Sequence, residues 1–313
     1  PTILRKQAKE KMKKHMGFLL VQALFIWLLC LVLGKYPADL RSCAMFLAAI
    51  AVIFATFLCK YRSTPKHRAS LCGVTMITLL LLISWQLCAG RGDFSAAILL
   101  PPPAEVFQAF QSCAPLMLRG IVSSLTLLFF SMSLALTGGV ILGLAIGRTP
   151  FWREIFLPIA KVLSPIPPII YSPYAVALMP SFRCAAALVI TLGIFWPVSM
   201  NIINRASAID KRIINSAKAL GVTKSGMIFK IYLPYLLPGI IKNLHVTLST
   251  SFLLLTMAEM MGASSGLGYF IKNYSDYANY TNVIAGIILI GLVITLLNHC
   301  LERAEKKFIR WKE

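Results

Sequence analysis

The chain has 313 residues, of which 58% are hydrophobic and only 13% charged, where an average soluble domain carries roughly 25% charged residues. Its 31 Lys and Arg against 11 Asp and Glu leave a net charge of +20, an excess that in a less apolar chain points to nucleic acid. Here the basic residues alternate with long uncharged apolar runs, which excludes disorder and a lone soluble enzyme domain and makes a polytopic membrane protein the starting point.

A helix that crosses a bilayer needs about 20 predominantly apolar residues, because in hydrocarbon each backbone polar group must find its partner within the segment. Eight stretches meet this: 17–34, 43–59, 70–89, 120–147, 155–178, 184–203, 236–258 and 283–301. The expected fold is all-α. Lys and Arg accumulate in cytoplasmic loops. With the N-terminus inside, 25 of the 31 basic residues fall on segments 1–16, 60–68, 148–161, 205–242 and 302–313. Lys35, Arg41, Arg91, Arg119, Arg183 and Lys272 fall outside. The expectation is a multi-pass protein of the cell (inner or plasma) membrane with both termini cytoplasmic. The charge then records topology and meets lipid headgroups, not nucleic acid.

The basic start before Gly17 has the form of a signal peptide. The run is 18 residues long, however, and no small-x-small site follows in Gly34-Lys35-Tyr36-Pro37, so a first span is expected. Cys30, Cys59, Cys72, Cys88 and Cys300 lie in or beside spans with no C-x-x-C spacing and read as packing residues. Cys43, Cys113 and Cys184 fall near the outer face, where pairing stays open. His15, His67, His245 and His299 have no metal-ligand spacing, and no metal site is expected.

In chain order, a polar loop from Tyr61 to Arg68 separates the first two spans from the other six. Residues 1–68 are therefore expected as a two-helix N-terminal extension and 69–313 as the core. In the outer segment 90–119, Pro101, Pro102 and Pro103 precede a short amphipathic helix expected over 104–110, lying on the membrane surface. Gly139, Gly143 and Gly147 repeat every four residues on one helix face, which suits either a subunit interface or packing inside one bundle. Pro158, Pro165, Pro167, Pro168 and Pro173 must kink or interrupt the fifth stretch around 164–168. Broken backbone at that depth either lines a pathway or merely bends a structural helix.

The longest polar segment between spans is 205–235. Ile209, Ile213, Ala217 and Leu220 recur at helical spacing and predict one apolar stripe. Gly221 suits a helix C-terminus, Thr223 can cap a second short helix, and Pro234 and Pro238 open the next span. The result is a short helical hairpin fit to enter a partner's groove.

This hairpin resembles the EAA loop of ABC importer permeases. Asn215-Ser216-Ala217-Lys218-Ala219-Leu220-Gly221, nine residues, then Ile231-Tyr232-Leu233-Pro234 match the family's E-A-A, three residues, G, nine residues, I-x-L-P. Asn215 replaces the glutamate and Ser216 the first alanine. Pro101-Pro102-Pro103-Ala104-Glu105-Val106, Ser164-Pro165-Ile166-Pro167-Pro168 and the run from Ala258 through Gly268 to Ile271 resemble the nitrate/sulfonate/taurine branch, over roughly residues 70–313. The resemblance implies a six-span permease core with two extra N-terminal spans and paired permease copies, expected as a homodimer. It further implies two cytosolic ABC ATPase subunits gripping the hairpins and an extracytoplasmic solute-binding protein. ATP and Mg would lie on the ATPase subunits, and this chain would hold no cofactor. No G-x-x-x-x-G-K-[ST] loop occurs in it.

Glu259 is an ionisable group near the outer boundary, followed by Gly262, Ser264, Ser265, Gly266 and Gly268. It is either part of a re-entrant turn bordering the translocation path for a small polar or anionic solute, or an interfacial glutamate before an ordinary connection. Pathway candidates are thus Pro165, Pro167, Pro168, Glu259, Gly262, Ser264, Ser265, Gly266 and Gly268. No catalytic residue is expected: no acid/base motif or cofactor fingerprint supports a membrane enzyme. A channel or secondary transporter working without an ATPase is the remaining alternative, and it has no use for the hairpin.

Overall fold

The computed structural model describes residues 2–35, 40–64, 68–89 and 99–308. Tyr36 and Pro37, the Pro65-Lys66-His67 part of the basic loop, residues 90–98 of the outer segment, and Arg310 and Lys312 lie outside them. Among the described residues every regular element is helical, and the chain divides into two compact units.

The first unit comprises residues 1–114 and 274–285, so it takes in the third span as well as the N-terminal pair. Its helices are α1 (Thr2–Lys35), α2 (Leu40–Ser63), α3 (Arg68–Cys88) and α4 (Pro103–Ser112). Fully buried Val21, Leu28, Phe46, Ile50 and Leu79 form its core. Phe25 stacks on Phe54 with ring centroids 4.1 Å apart. The short helix expected after the prolines is α4. It starts with Pro103 in its first turn, where a missing N–H costs nothing. Its Ala104 and Val106 are buried, and Phe107 packs against Phe46 of α2. Trp85 Nε1 donates to Pro101 O at 3.0 Å, fixing the approach to this helix.

The second unit comprises residues 115–273 and 286–313. It contains α5 (Ala114–Gly147), α6 (Pro150–Leu163), α7 (Ser172–Leu178), α8 (Phe182–Ser207), α9 (Lys211–Ala219), α10 (Lys224–Met227), α11 (Leu233–Met260) and most of α12 (Leu267–Asp276) and α13 (Tyr280–Phe308). Leu128, Ile190, Phe252, Leu255 and Leu267 centre its core.

Among the described residues seven helices are long and apolar enough to cross a membrane. They expose side chains such as Leu19, Val122, Phe130 and Ile141, each more than half accessible, which suits a lipid surround. The stretch 155–178 is not one of the seven. It breaks into α6, a 3₁₀ turn Pro168–Ile170 and α7, because Pro165, Pro167 and Pro168 cannot supply the donors that helical continuity needs. The Pro168 ring packs over Gly193 of α8, where a Cβ would come within 2.6 Å of Pro168 Cγ.

The glycine face of α5 is packed inside this unit, against α8. A Cβ on Gly139, Gly143 or Gly147 would approach Val198, Ile202 or Ala206 to 2.9, 2.6 or 2.8 Å. The two four-residue repeats run in register, and the helix backbones approach as closely as small residues permit.

Candidate functional site

Most of the site residues singled out in the sequence gather at two places, both in the second unit. The first is the turn after α11. Glu259 is 2% exposed. Its Oε1 accepts from Ser124 Oγ at 2.6 Å and its Oε2 from Gly268 N at 2.8 Å. Ser124 Oγ in turn accepts from Leu267 N at 2.8 Å. The carboxylate therefore lies against the N-terminus of α12, where unpaired N–H groups and the helix dipole favour negative charge. Gly266 has φ +127°, and a Cβ there would overlap the Glu259 carboxyl group. At Gly268 a Cβ would come within 2.8 Å of Glu259 Cβ. Glycine is required at both positions because the chain folds over the carboxylate.

Glu259, Gly262, Ser264 and Ser265 line one cavity of about 330 Å³ together with Ser123, Phe182 and Arg183. Ser123 Oγ lies 2.9 Å from Ser265 Oγ, and Arg183 Nη2 donates to Thr126 Oγ1 at 2.9 Å. Among the described residues Arg183 is the one cation lining this cavity. Both carboxylate oxygens of Glu259 hold hydrogen bonds, and the other polar side chains lining the cavity are those of Ser123, Ser264, Ser265 and Arg183. Sequence reasoning missed Ser123, Ser124 and Thr126. The available signal was a cluster of three hydroxyl residues within four positions near the start of the span. Pro165, Pro167 and Pro168 are not among the residues lining this cavity; Pro165 and Pro167 are exposed and Pro168 half-buried.

The second place is the hairpin. Asp210 caps α9 by accepting from Arg212 N at 2.8 Å. At the far end Val222 N donates to Ala217 O at 3.1 Å and Gly221 N to Lys218 O at 3.0 Å. These are the paired bonds of a Schellman motif, with Gly221 at φ +69° in the left-handed position. Thr223 Oγ1 accepts from Gly226 N at 3.1 Å and starts α10. A π-helical turn, Ile228–Tyr232, then leads into α11 with Pro234 in its first turn. Helix runs on without a break over Lys224–Met260.

The predicted apolar stripe needs correction. Ile209 and Ala217 are buried, at 4% and 7%, but Ile213 is 47% and Leu220 83% exposed. Ile209 precedes the cap residue Asp210 and is not on the helix; it packs with Ile202, Tyr232 and Leu236. Leu220 follows the last helical residue and projects from the C-cap. Asn215, Ser216 and Pro234 are exposed, and Ile231 and Leu233 half-buried.

Outside these places, Cys113 Sγ lies 3.7 Å from Tyr274 Oη and 3.6 Å from Asn282 Oδ1, and Cys184 is an exposed thiol. Among the described residues no group of three or more His, Cys, Asp or Glu is placed to hold a metal ion.

A family model described as "Binding-protein-dependent transport system inner membrane component" matches residues 135–311. The chain is 26% identical over 254 residues to the taurine transport system permease protein TauC of Escherichia coli (strain K12), covering 79% of this chain and 92% of that protein. It is 28% identical over 242 residues to the putative aliphatic sulfonates transport permease protein SsuC of Bacillus subtilis (strain 168), covering 76% and 86%. To the nitrate import permease protein NrtB of Synechocystis sp. (strain ATCC 27184 / PCC 6803 / Kazusa) it is 30% identical over 233 residues, covering 70% and 82%. In fold it is similar to a chain of the MetNI methionine ABC transporter in an inward-facing conformation. The TM-score is 0.56 at 21% identity, over 64% of this chain and 99% of that one.

Proposed function

The chain belongs to the family of binding-protein-dependent transport system inner membrane components, and on that premise we propose that it moves a small anionic solute by coupling its hairpin to its outer turn. It is a multi-pass membrane permease subunit of an ABC importer, of the nitrate/sulfonate/taurine type, and not an enzyme. Membership of that family implies ATPase and solute-binding partners. It also sets aside the alternative of a channel or secondary transporter.

One observation carries the coupling: the helix Lys224–Met260 joins the two places. It has 37 residues, about 55 Å at 1.5 Å per residue. One end begins at the Schellman-closed hairpin with its exposed Leu220. The other ends one residue beyond Glu259, whose bonds hold the outer turn. A displacement of the hairpin is thereby carried towards the cavity of Ser123, Arg183, Ser264 and Ser265 along one run of helix, whose π-helical turn Ile228–Tyr232 and Pro238 both lie near the hairpin end. The mechanism is a lever between two states, each favoured by a different state of the ATPase. Arg183 and the three hydroxyls supply donors, which favours an anion in that cavity. Nitrate and aliphatic sulfonates, named for the relatives, are small anions, and taurine presents a sulfonate group.

In this reading the assembly is a homodimer of permease chains with two cytosolic ATPase subunits, which carry ATP and Mg. Asn215, Ser216, Ala217, Leu220, Gly221, Ile231, Leu233 and Pro234 form or support the ATPase contact, both termini are cytoplasmic, and the binding protein docks on the opposite face. The prolines 165, 167 and 168 give the path an interrupted wall. The test is uptake into proteoliposomes holding the chain with its ATPase subunits and the binding protein outside. Uptake of a sulfonate, taurine or nitrate is expected only with ATP inside. Equal uptake without nucleotide would overturn the coupling, and nucleotide-dependent uptake confined to cations would overturn the solute class.

A further inference from the structure

A second cavity, of about 400 Å³, opens beside the hairpin between the α5–α6 junction, α9 and the start of the Lys224–Met260 helix. Arg148, Lys211, Lys218 and Lys224 line it, and no carboxylate does. The other polar groups on its wall are those of Thr149, Asn215 and Tyr232, each able to donate a hydrogen bond. Asp210, the nearest acid in sequence to α9, turns its Oδ1 to Arg212 N. Neither the His245–Glu305 nor the His299–Glu302 ion pair involves these four cations, and among the described residues none of the four is paired with a carboxylate. Thr149 caps α6 without a side-chain bond to it, and the positive end of that 14-residue helix faces the same junction.

Four like charges around one cavity repel one another unless an anion joins them. Asn215 sharpens the imbalance: it is the position at which the E-A-A pattern has a carboxylate, and here it carries none. A guanidinium, three ammonium groups and neutral donors suit a compact dianion with several acceptor oxygens.

We propose that this cavity binds a phosphate-type dianion, as the free ion or as the phosphomonoester headgroup of a lipid. The headgroup is a real source because Phe151 and Trp152, 64% and 48% exposed, follow Pro150 at the rim, as amphipathic rings do at a membrane interface. Bound there, the anion ties the α5–α6 junction to both arms of the hairpin and fixes the hairpin's angle to the membrane helices. The binding stands on the cavity's charge and shape and does not depend on the hairpin's contact with an ATPase.

The experiment uses the full chain purified in an uncharged detergent. Inorganic phosphate is titrated by calorimetry, and thermal unfolding is followed in nanodiscs of phosphatidylcholine with and without phosphatidate. Saturable phosphate binding, stabilisation by phosphatidate, or both are expected; phosphate alone identifies the free ion as the ligand and phosphatidate alone the headgroup. The double variant Lys211→Gln/Lys218→Gln and the single variant Asn215→Glu, which places an internal carboxylate on the wall, are each expected to weaken binding about tenfold or more. Lys161→Gln, an exposed change away from the cavity, is expected to bind as the parent does, and all three variants change exposed residues and keep the parent's unfolding temperature without ligand. Absence of binding in both arms, or equal weakening by Lys161→Gln, would overturn the proposal. So would displacement of phosphate by the ATPase subunits, since a partner carboxylate would then be the occupant.

Discussion

Ser124 on α5 and Glu259 on α11 are joined by a 2.6 Å hydrogen bond, and the same serine oxygen accepts from Leu267 N across the glycine turn. One buried hydroxyl thus holds two helices and the start of a third. Ser124→Ala leaves a buried carboxylate oxygen and a backbone N–H without these partners, at a cost of about 1–3 kcal/mol. The expected outcome is a lower thermal midpoint in detergent, with Gly266→Ala at least as damaging because of its φ. Val122→Ala, at a lipid-facing position of the same helix, is expected to leave the midpoint nearly unchanged.

The packing of α5 on α8 makes a sharper energetic prediction. Gly143→Val places atoms where Ile202 already stands, and overpacking of this kind costs about 1–3 kcal/mol. Ile202→Ala alone is destabilising through the space it opens. Combined, the two changes are expected to be less harmful than the sum of the singles, a coupling read from a double-mutant cycle of unfolding free energies. Strict additivity would mean that the two residues are not in contact.

What was legible in the sequence follows the physics of each feature. Apolar runs report spans because hydrocarbon forbids any other solution, and the interruption at Ser164-Pro165-Ile166-Pro167-Pro168 was legible because proline lacks a donor. Gly221 and Thr223 were legible because capping is local chemistry. The partner of Glu259 was not, since Ser124 lies 135 positions away and a serine in an apolar helix looks the same whether it bonds its own backbone or a distant carboxylate. The direction of Leu220 was misread for a related reason. Periodicity assumes that the helix continues, whereas α9 stops one residue earlier and the left-handed glycine turns the chain. The glycine face of α5 showed that something packs closely, and only the tertiary structure supplied α8 as the neighbour.

Among the described residues Arg183 is the one cation lining the cavity at Glu259. Arg183→Gln keeps a hydrogen-bond donor, on a shorter side chain, and removes the charge. The solute's apparent KM for ATP-driven uptake is expected to rise several-fold, about 1 kcal/mol for a charge-assisted bond at a partly solvated site. The parent's uptake is expected to fall with ionic strength more steeply than the variant's. An unchanged KM and salt response would remove Arg183 from the path.

Gly221 and Leu220 separate the hairpin's shape from its contact. Gly221→Val forces a β-branched residue to φ +69°, a conformation costing an L-residue about 1–2 kcal/mol, and the Schellman turn is expected to open. Uptake should be lost while the chain still reaches the membrane, and Gly221→Asn should retain much of it because asparagine tolerates that region. Leu220 is 83% exposed, so Leu220→Ser removes little buried surface and should shift stability by less than about 0.5 kcal/mol. Its loss is expected to appear in pull-down affinity for the ATPase subunits and in ATP-driven uptake, both reduced together. If Leu220→Ser keeps full affinity while Gly221→Val loses it, the contact lies elsewhere on the hairpin, with Ile213 and Phe229, 47% and 65% exposed, the next apolar side chains to remove.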